Sequence, residues 1–239
     1  KEVTVRLKYE ELFEFMFKIN YLKRMNKIKN NGLERVIDRD KLKKFIDKIP
    51  FTLTADQVKA IDEIIVDLEA PHRMNRLLQG DVGSGKTIVA FIATYINYLS
   101  NHQTAFMVPT EILAMQHYNN ALKIFGDLIK IELITSSTNT KKKNEIYSRL
   151  KDNDIDLIIG TQSLIQDKIE FANLGLVITD EQHRFGVNQR TLLKNKGITP
   201  DVLYMSATPI PRTFALTVYG DMDVSIIKEI DRKSTRLNS

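Results

Sequence analysis

The sequence predicts an α/β fold, a parallel sheet with helices on both faces, preceded by a helical leader. Three observations predict it. From residue 51 onward, stretches of helical period alternate with short apolar runs, the pattern of strands joined by crossover helices. The runs are apolar rather than alternating, as in strands buried on both faces. A glycine-rich turn at residues 80–87 lies between one such run and the next helical stretch.

The leader comes first. Within residues 7–24 apolar side chains fall at Leu7, Leu12, Phe13, Phe15, Met16, Phe17, Ile19 and Leu22, dense enough for a helix with a wide buried face. Asn30-Asn31-Gly32 breaks it, Asp40 is placed to cap a second short helix to about Lys48, and Pro50 marks a boundary. The expected division is a helical leader over residues 1–50 and an α/β domain over 51–230.

In the second part, helices are expected at 55–68, 86–99, 111–125, 141–150 and 187–194. The first opens on Thr54-Ala55-Asp56-Gln57, a capping-box pattern, and the third follows Pro109-Thr110, with Thr110 suited to the cap. Strands are expected at 76–79, 104–108, 130–134, 156–159, 176–179 and 202–205. The last nine residues, DRKSTRLNS at 231–239, lack apolar periodicity and turn logic, and they are the translation of common sequencing-adapter DNA. They are expected to be foreign to the natural protein and are excluded from the fold.

Composition excludes several classes. No apolar run approaches the roughly 18 residues of a membrane helix. The absence of cysteine rules out disulfides and cysteine zinc sites. The net charge of +5 is unevenly spread: residues 1–50 hold 14 Lys/Arg against 8 Asp/Glu, so the core itself is not basic. A charged leader of this kind reads first as a solvated helix face.

The chemistry is concentrated in two segments. Residues 80–87, GDVGSGKT, fit the phosphate-loop pattern G-x-x-x-x-G-K-[ST] after an apolar strand and at a helix start. Gly80, Asp81, Val82, Gly83, Ser84 and Gly85 form a backbone cradle whose N–H groups face phosphates, reinforced by the positive helix end. Lys86 then reaches the β- and γ-phosphates of ATP, and Thr87 ligates Mg²⁺. The second segment is Asp180-Glu181 after the buried-strand pattern LGLVIT, at the strand end where open α/β sheets bind ligands. Asp180 is assigned to Mg²⁺ and Glu181 to the attacking water.

Other candidates stay open. Gln57 fits a helix cap as well as an adenine-reading side chain, and Phe51 fits base stacking or simple core packing. His102, His117 and His183 make no metal-ligand spacing, and Ser163 and Ser206 have no nucleophile context.

These segments resemble the superfamily 2 helicases and, in their wording, the RecG family. The resemblance rests on MNRLLQGDVGSGKT at residues 74–87, PTEILAMQH at 109–117, DEQHRFGVNQR at 180–190, MSATPIPRT at 205–213 and YGDMDVS at 219–225. It covers about residues 51–227, and the leader resembles the helix that joins the family's wedge domain to its motor. The transcription-repair coupling factor is a similar family with a DEEH box; Gln182 favours RecG. GTQSL at 160–164 and LITSS at 133–137 depart from the family's usual histidine and glycine.

The resemblance implies a RecA-like motor lobe that uses ATP and Mg²⁺ in a bacterial cytoplasm. It adds Gln182, His183 and Ser206-Ala207-Thr208 as residues that couple nucleotide chemistry to motion. It also places Pro109, Thr110, Glu111, Gly160 and Thr161 near a DNA backbone, although Pro-Thr-Glu equally starts a helix. A missing second lobe and wedge domain of the parent chain are implied partners. A nucleotide-dependent switch without translocation is the alternative from another class.

Overall fold

The computed structural model describes residues 10–18, 21, 32–33, 35–161, 164, 169–180, 200–207 and 222–228. Residues 10–18 are helical, as expected of the leader, but the expected buried face is not covered: Leu12, Phe13, Phe15 and Phe17 are exposed. The helix expected at 187–194 and the tail at 231–239 lie outside the described residues.

The elements that follow are α1 (Arg39–Ile46), α2 (Ala55–Glu69), β1 (Asn75–Gly80), α3 (Lys86–Leu99), β2 (Gln103–Met107), α4 (Glu111–Phe125), β3 (Ile131–Ile134), α5 (Thr140–Lys151), β4 (Leu157–Gly160), β5 (Leu174–Asp180), β6 (Asp201–Ser206) and β7 (Asp223–Ile227). The seven strands form one sheet in the order β3-β4-β2-β5-β6-β1-β7. Every pairing in it is parallel. Parallel neighbours need long crossovers, which α5 supplies between β3 and β4.

Local chemistry sets the helix starts. Thr54 and Gln57 form a reciprocal capping box at α2, Thr110 accepts from the Leu113 N–H at α4, and Asn139 accepts from the Lys142 N–H at α5. The short helix α1 is capped by Asp38, which accepts from the Lys41 N–H, and not by Asp40, which lies in its first turn. Asp38 has the extended backbone a cap requires; Asp40 instead places its charge at the positive helix end.

The two faces of the sheet feed separate cores. Along β2, Phe106 joins one apolar cluster while Ala105 and Met107 join another, as side-chain alternation demands. The larger cluster gathers α1 to α4, and the smaller one includes Ile146 and Leu150 of α5. Helix α3 is buried without interruption from 88 to 97, the condition of a helix that is apolar all round.

Residues 35–49 pack on this core. Ile37, Leu42, Phe45 and Ile49 belong to the larger cluster, and Phe45 stacks on Tyr95 at 4.1 Å and on Phe125 at 5.4 Å. Arg35 is buried and donates to Asp201 at 2.5 Å, to Asn97 at 2.9 Å and to the Gly175 carbonyl at 2.9 Å. It thereby joins the segment ahead of α1 to the first residue of β6 and to β5.

Candidate functional site

Parallel strands align their carboxyl ends, so one edge of the sheet collects the motif residues. On β1 the chain leaves the sheet at Gly80, beside Ser206 of β6, which pairs with Gln79. Gly80 is held close on two sides: a Cβ there would come within 2.5 Å of Ser84 Oγ and 2.8 Å of the Ile227 carbonyl. Gly83 and Gly85 take left-handed φ angles of +83° and +81°. Such curling suits glycine. Gly85 is the N-cap of α3 and supplies no side-chain hydrogen bond, so the first amides of the helix are not capped by it.

Lys86 lies across this turn, donating to the carbonyls of Gly80 at 2.7 Å and Asp81 at 2.9 Å. Burial lowers its ammonium's pKa from the ordinary value, opposed by the carboxylates of Asp180 and Asp81. Asp81, Val82 and Gly83 are exposed, Ser84 is buried, and Gly85, Lys86 and Thr87 are half-buried. An uncapped helix start, a glycine turn and an ammonium group together fit an anionic phosphate chain. Among the described residues no three carboxylate or histidine side chains cluster as a metal cage.

Gln57 is fully buried, and its amide bridges two elements. Its Oε1 accepts from the Thr54 N–H at 2.9 Å, while Nε2 donates to the Ser84 carbonyl at 2.9 Å. The capping box that starts α2 therefore also braces the phosphate loop. Phe51 is half-buried against the larger apolar cluster.

Asp180 ends β5 beside Met205 of β6. Its Oδ2 lies 3.1 Å from Nε2 of His117, a buried side chain of α4. Sequence reasoning missed His117 as part of the site. The available signal was its place in the buried stripe of α4, with Ala114, Ala121 and Phe125, where it is the only polar member. Glu181, Gln182, His183 and Thr208 lie outside the described residues.

The remaining candidates lie on the other half of the same edge, over β3, β4 and β2. Val108 donates its N–H to the Gly160 carbonyl at 2.9 Å, which sets Pro109, Thr110 and Glu111 next to Gly160 and Thr161. Gly160 is required by close packing, since a Cβ there would approach the Ile134 carbonyl to 2.4 Å. Glu111 accepts from the Ser136 N–H at 2.9 Å and from the hydroxyls of Ser136 and Ser137. These bonds hold its carboxyl below the usual carboxylate range, led by the Ser136 hydroxyl.

The sheet order thus separates two groups. Lys86 follows β1 and Asp180 ends β5, whereas residues 109–111 follow β2 and residues 160–161 lie at the end of β4, with β2 and β5 adjacent.

This arrangement matches known proteins. ATP-dependent DNA helicase RecG of Staphylococcus aureus is 51% identical over 224 residues, 94% of this chain and 33% of that protein. RecG of Staphylococcus epidermidis is 50% identical over the same extent. This chain thus spans about a third of the length of those relatives. A solved structure of RecG bound to a three-way DNA junction superposes with a TM-score of 0.82 at 46% identity, over 95% of this chain and 31% of that one. The UvsW helicase of bacteriophage T4, at 19% identity and a TM-score of 0.58 over 83% of this chain and 70% of that one, shares the fold. The RecG resemblance read from the motifs therefore holds over nearly the whole chain. Since the DEAD/DEAH box helicase profile runs from the capping box at residue 54 through the phosphate loop and past β6 to residue 216, this chain belongs to that family.

Proposed function

We propose that this chain is the first RecA-like motor lobe of a RecG-type DNA helicase, a protein that couples ATP hydrolysis to translocation on DNA and remodelling of forks and junctions. One observation carries the reading. The phosphate-loop lysine follows β1 and the Asp180 carboxylate ends β5, so both stand at the carboxyl end of one parallel sheet. Mg²⁺, when bound, would neutralise phosphate charge. Lys86 would exchange its loop carbonyls for phosphate oxygens, Thr87 and Asp180 would hold the metal, and Glu181 would orient the attacking water. Gln182, His183 and residues 206–208 pass the state of the nucleotide to the rest of the motor, while Phe51 lies toward the base and Gln57 acts on the nucleotide through the phosphate loop that it braces.

On this reading Pro109, Thr110, Glu111, Gly160 and Thr161 meet the backbone of DNA, which positions a strand without reading its sequence. Residues 1–50 join the lobe to a wedge domain, their last third packed on the lobe itself, and 51–230 form the motor domain. The second lobe closes the cleft and contributes an arginine of the kind worth about 10³ or more in rate. The isolated chain therefore binds nucleotide weakly and turns it over slowly.

The test is titration of the chain with a fluorescent ATP analogue with and without Mg²⁺. Saturable binding is expected, lost in Lys86→Ala and made insensitive to Mg²⁺ in Asp180→Ala. Binding that survives Lys86→Ala unchanged would remove the phosphate-loop assignment. Brisk DNA-stimulated turnover by the chain alone would remove the requirement for a second lobe.

A further inference from the structure

We infer that His117 is a positioning residue for the divalent cation, holding the Asp180 carboxylate in the orientation that meets the metal. The inference rests on the proposed role of Asp180 as a metal ligand. The sheet sets the geometry. Phe106 of β2 is in register with Ile178 of β5, so side-chain alternation puts Asp180 on the same face, two residues further toward the loop edge. Helix α4 lays its buried stripe over that face, and the His117 ring packs on Phe106 with centroids 4.8 Å apart. The ring is thus held by packing.

From there Nε2 reaches Asp180 Oδ2 at 3.1 Å, with the two side chains 8% and 19% exposed. A carboxylate that ligates a metal ion is an acceptor only, so the contact calls for the ring's Nε2–H as donor. With Oδ2 held, the carboxylate no longer rotates freely and its other oxygen is presented in one place. A core role alone does not call for histidine here. Its Nδ1 is buried without a hydrogen-bond partner among the described residues, a cost that leucine or methionine in the same stripe would avoid. What histidine adds over those residues is the bond to Asp180. Outer-shell partners that orient a ligating carboxylate change metal affinity by roughly 10- to 100-fold when removed.

The experiment compares Mg²⁺ dependence of binding in the 239-residue chain, using a fluorescent ATP analogue at concentrations that saturate the wild type. His117→Phe keeps a ring against Phe106 and loses the donor; His117→Gln restores an N–H. The expected result is a Mg²⁺ half-saturation raised about tenfold or more in His117→Phe, with affinity in EDTA unchanged and the thermal midpoint retained. Recovery of most of the shift in His117→Gln is the second expectation. Mn²⁺ electron paramagnetic resonance gives the same comparison without turnover. A His117→Phe protein that takes up Mg²⁺ like the wild type reduces His117 to packing and overturns the proposal alone. If Asp180→Asn keeps the wild-type Mg²⁺ dependence, the metal role of Asp180 fails, and the proposal falls with it.

Discussion

Arg35 and Asp201, 166 positions apart in the chain, meet at 2.5 Å with both side chains 1% exposed. The guanidinium also binds Asn97 and the Gly175 carbonyl, and the other Asp201 oxygen accepts from the Met74 N–H at 2.6 Å. Burial pushes the Asp201 carboxyl up, while Arg35 and the Met74 N–H favour its charged form. Removing one partner leaves an uncompensated buried charge, so Arg35→Ala is expected to destabilise the fold by about 3–5 kcal/mol. Arg35→Met combined with Asp201→Asn removes both charges and keeps the acceptor for Met74; it is expected to recover part of that loss. Urea unfolding of the two variants decides it, and equal midpoints would show that the charge pair is not the cause.

The same segment bears on where the domain can be cut. The helicase profile begins at residue 54, yet Ile37, Leu42, Phe45 and Ile49 lie in the core. At about 1.5–3 kcal/mol for each buried side chain, their loss approaches the ~5–15 kcal/mol that stabilises a typical domain. A chain trimmed to begin at residue 51 is expected to be poorly soluble, or to bind an apolar dye and melt without cooperativity. A sharp melt within a few degrees of the longer chain would contradict this.

Glu111 supplies a pH dependence with a definite sign. Its folded-state pKa is lowered by the Ser136 and Ser137 hydrogen bonds. The contribution is therefore present above the ordinary value of 4.5 and is lost as pH falls through the lower folded value. The amide of Ser136 donates directly to Glu111. Its exchange protection is expected to persist at pH 6 and to fall in acid, and Glu111→Gln is expected to weaken protection at pH 6 toward the level seen in acid. Protection independent of pH in the native chain would dissociate the loop from this carboxylate.

Much of this was legible in the sequence where the signals are local. Helices α3 and α4 have the expected bounds because a glycine turn opens one, a threonine cap opens the other, and Gly126 with φ +53° closes the latter. The strands agree to within two residues at each end, since each is an apolar run with polar flanks. Strand β7 escaped because DVSII is short and only partly buried at the sheet edge. The choice between Asp38 and Asp40 turned on backbone angles that two acids two residues apart do not reveal. Arg35 and His117 were hidden for a different reason: their partners lie 62 to 166 and 63 positions away, and no local spacing encodes such contacts.

The phosphate loop offers a comparison between two glycines that share a backbone conformation. Gly83 and Gly85 both have φ above +80°, so alanine at either position bears the strain of the left-handed region, about 1–3 kcal/mol. Their surroundings differ. Nothing lies within 4 Å of a Cβ at Gly83, whereas one at Gly85 would come within 2.2 Å of Gln57 Nε2. That nitrogen is the one that braces the loop through the Ser84 carbonyl, so Gly85→Ala must displace Gln57 or distort the loop. Gly83→Ala is expected to weaken binding of the fluorescent ATP analogue modestly, by about tenfold or less, with α2 unchanged. Gly85→Ala is expected to abolish measurable binding and also to lower the thermal midpoint, because the displaced amide caps α2 as well. If the two variants lose the same affinity, backbone strain alone governs the loop, and the brace from Gln57 contributes nothing to it.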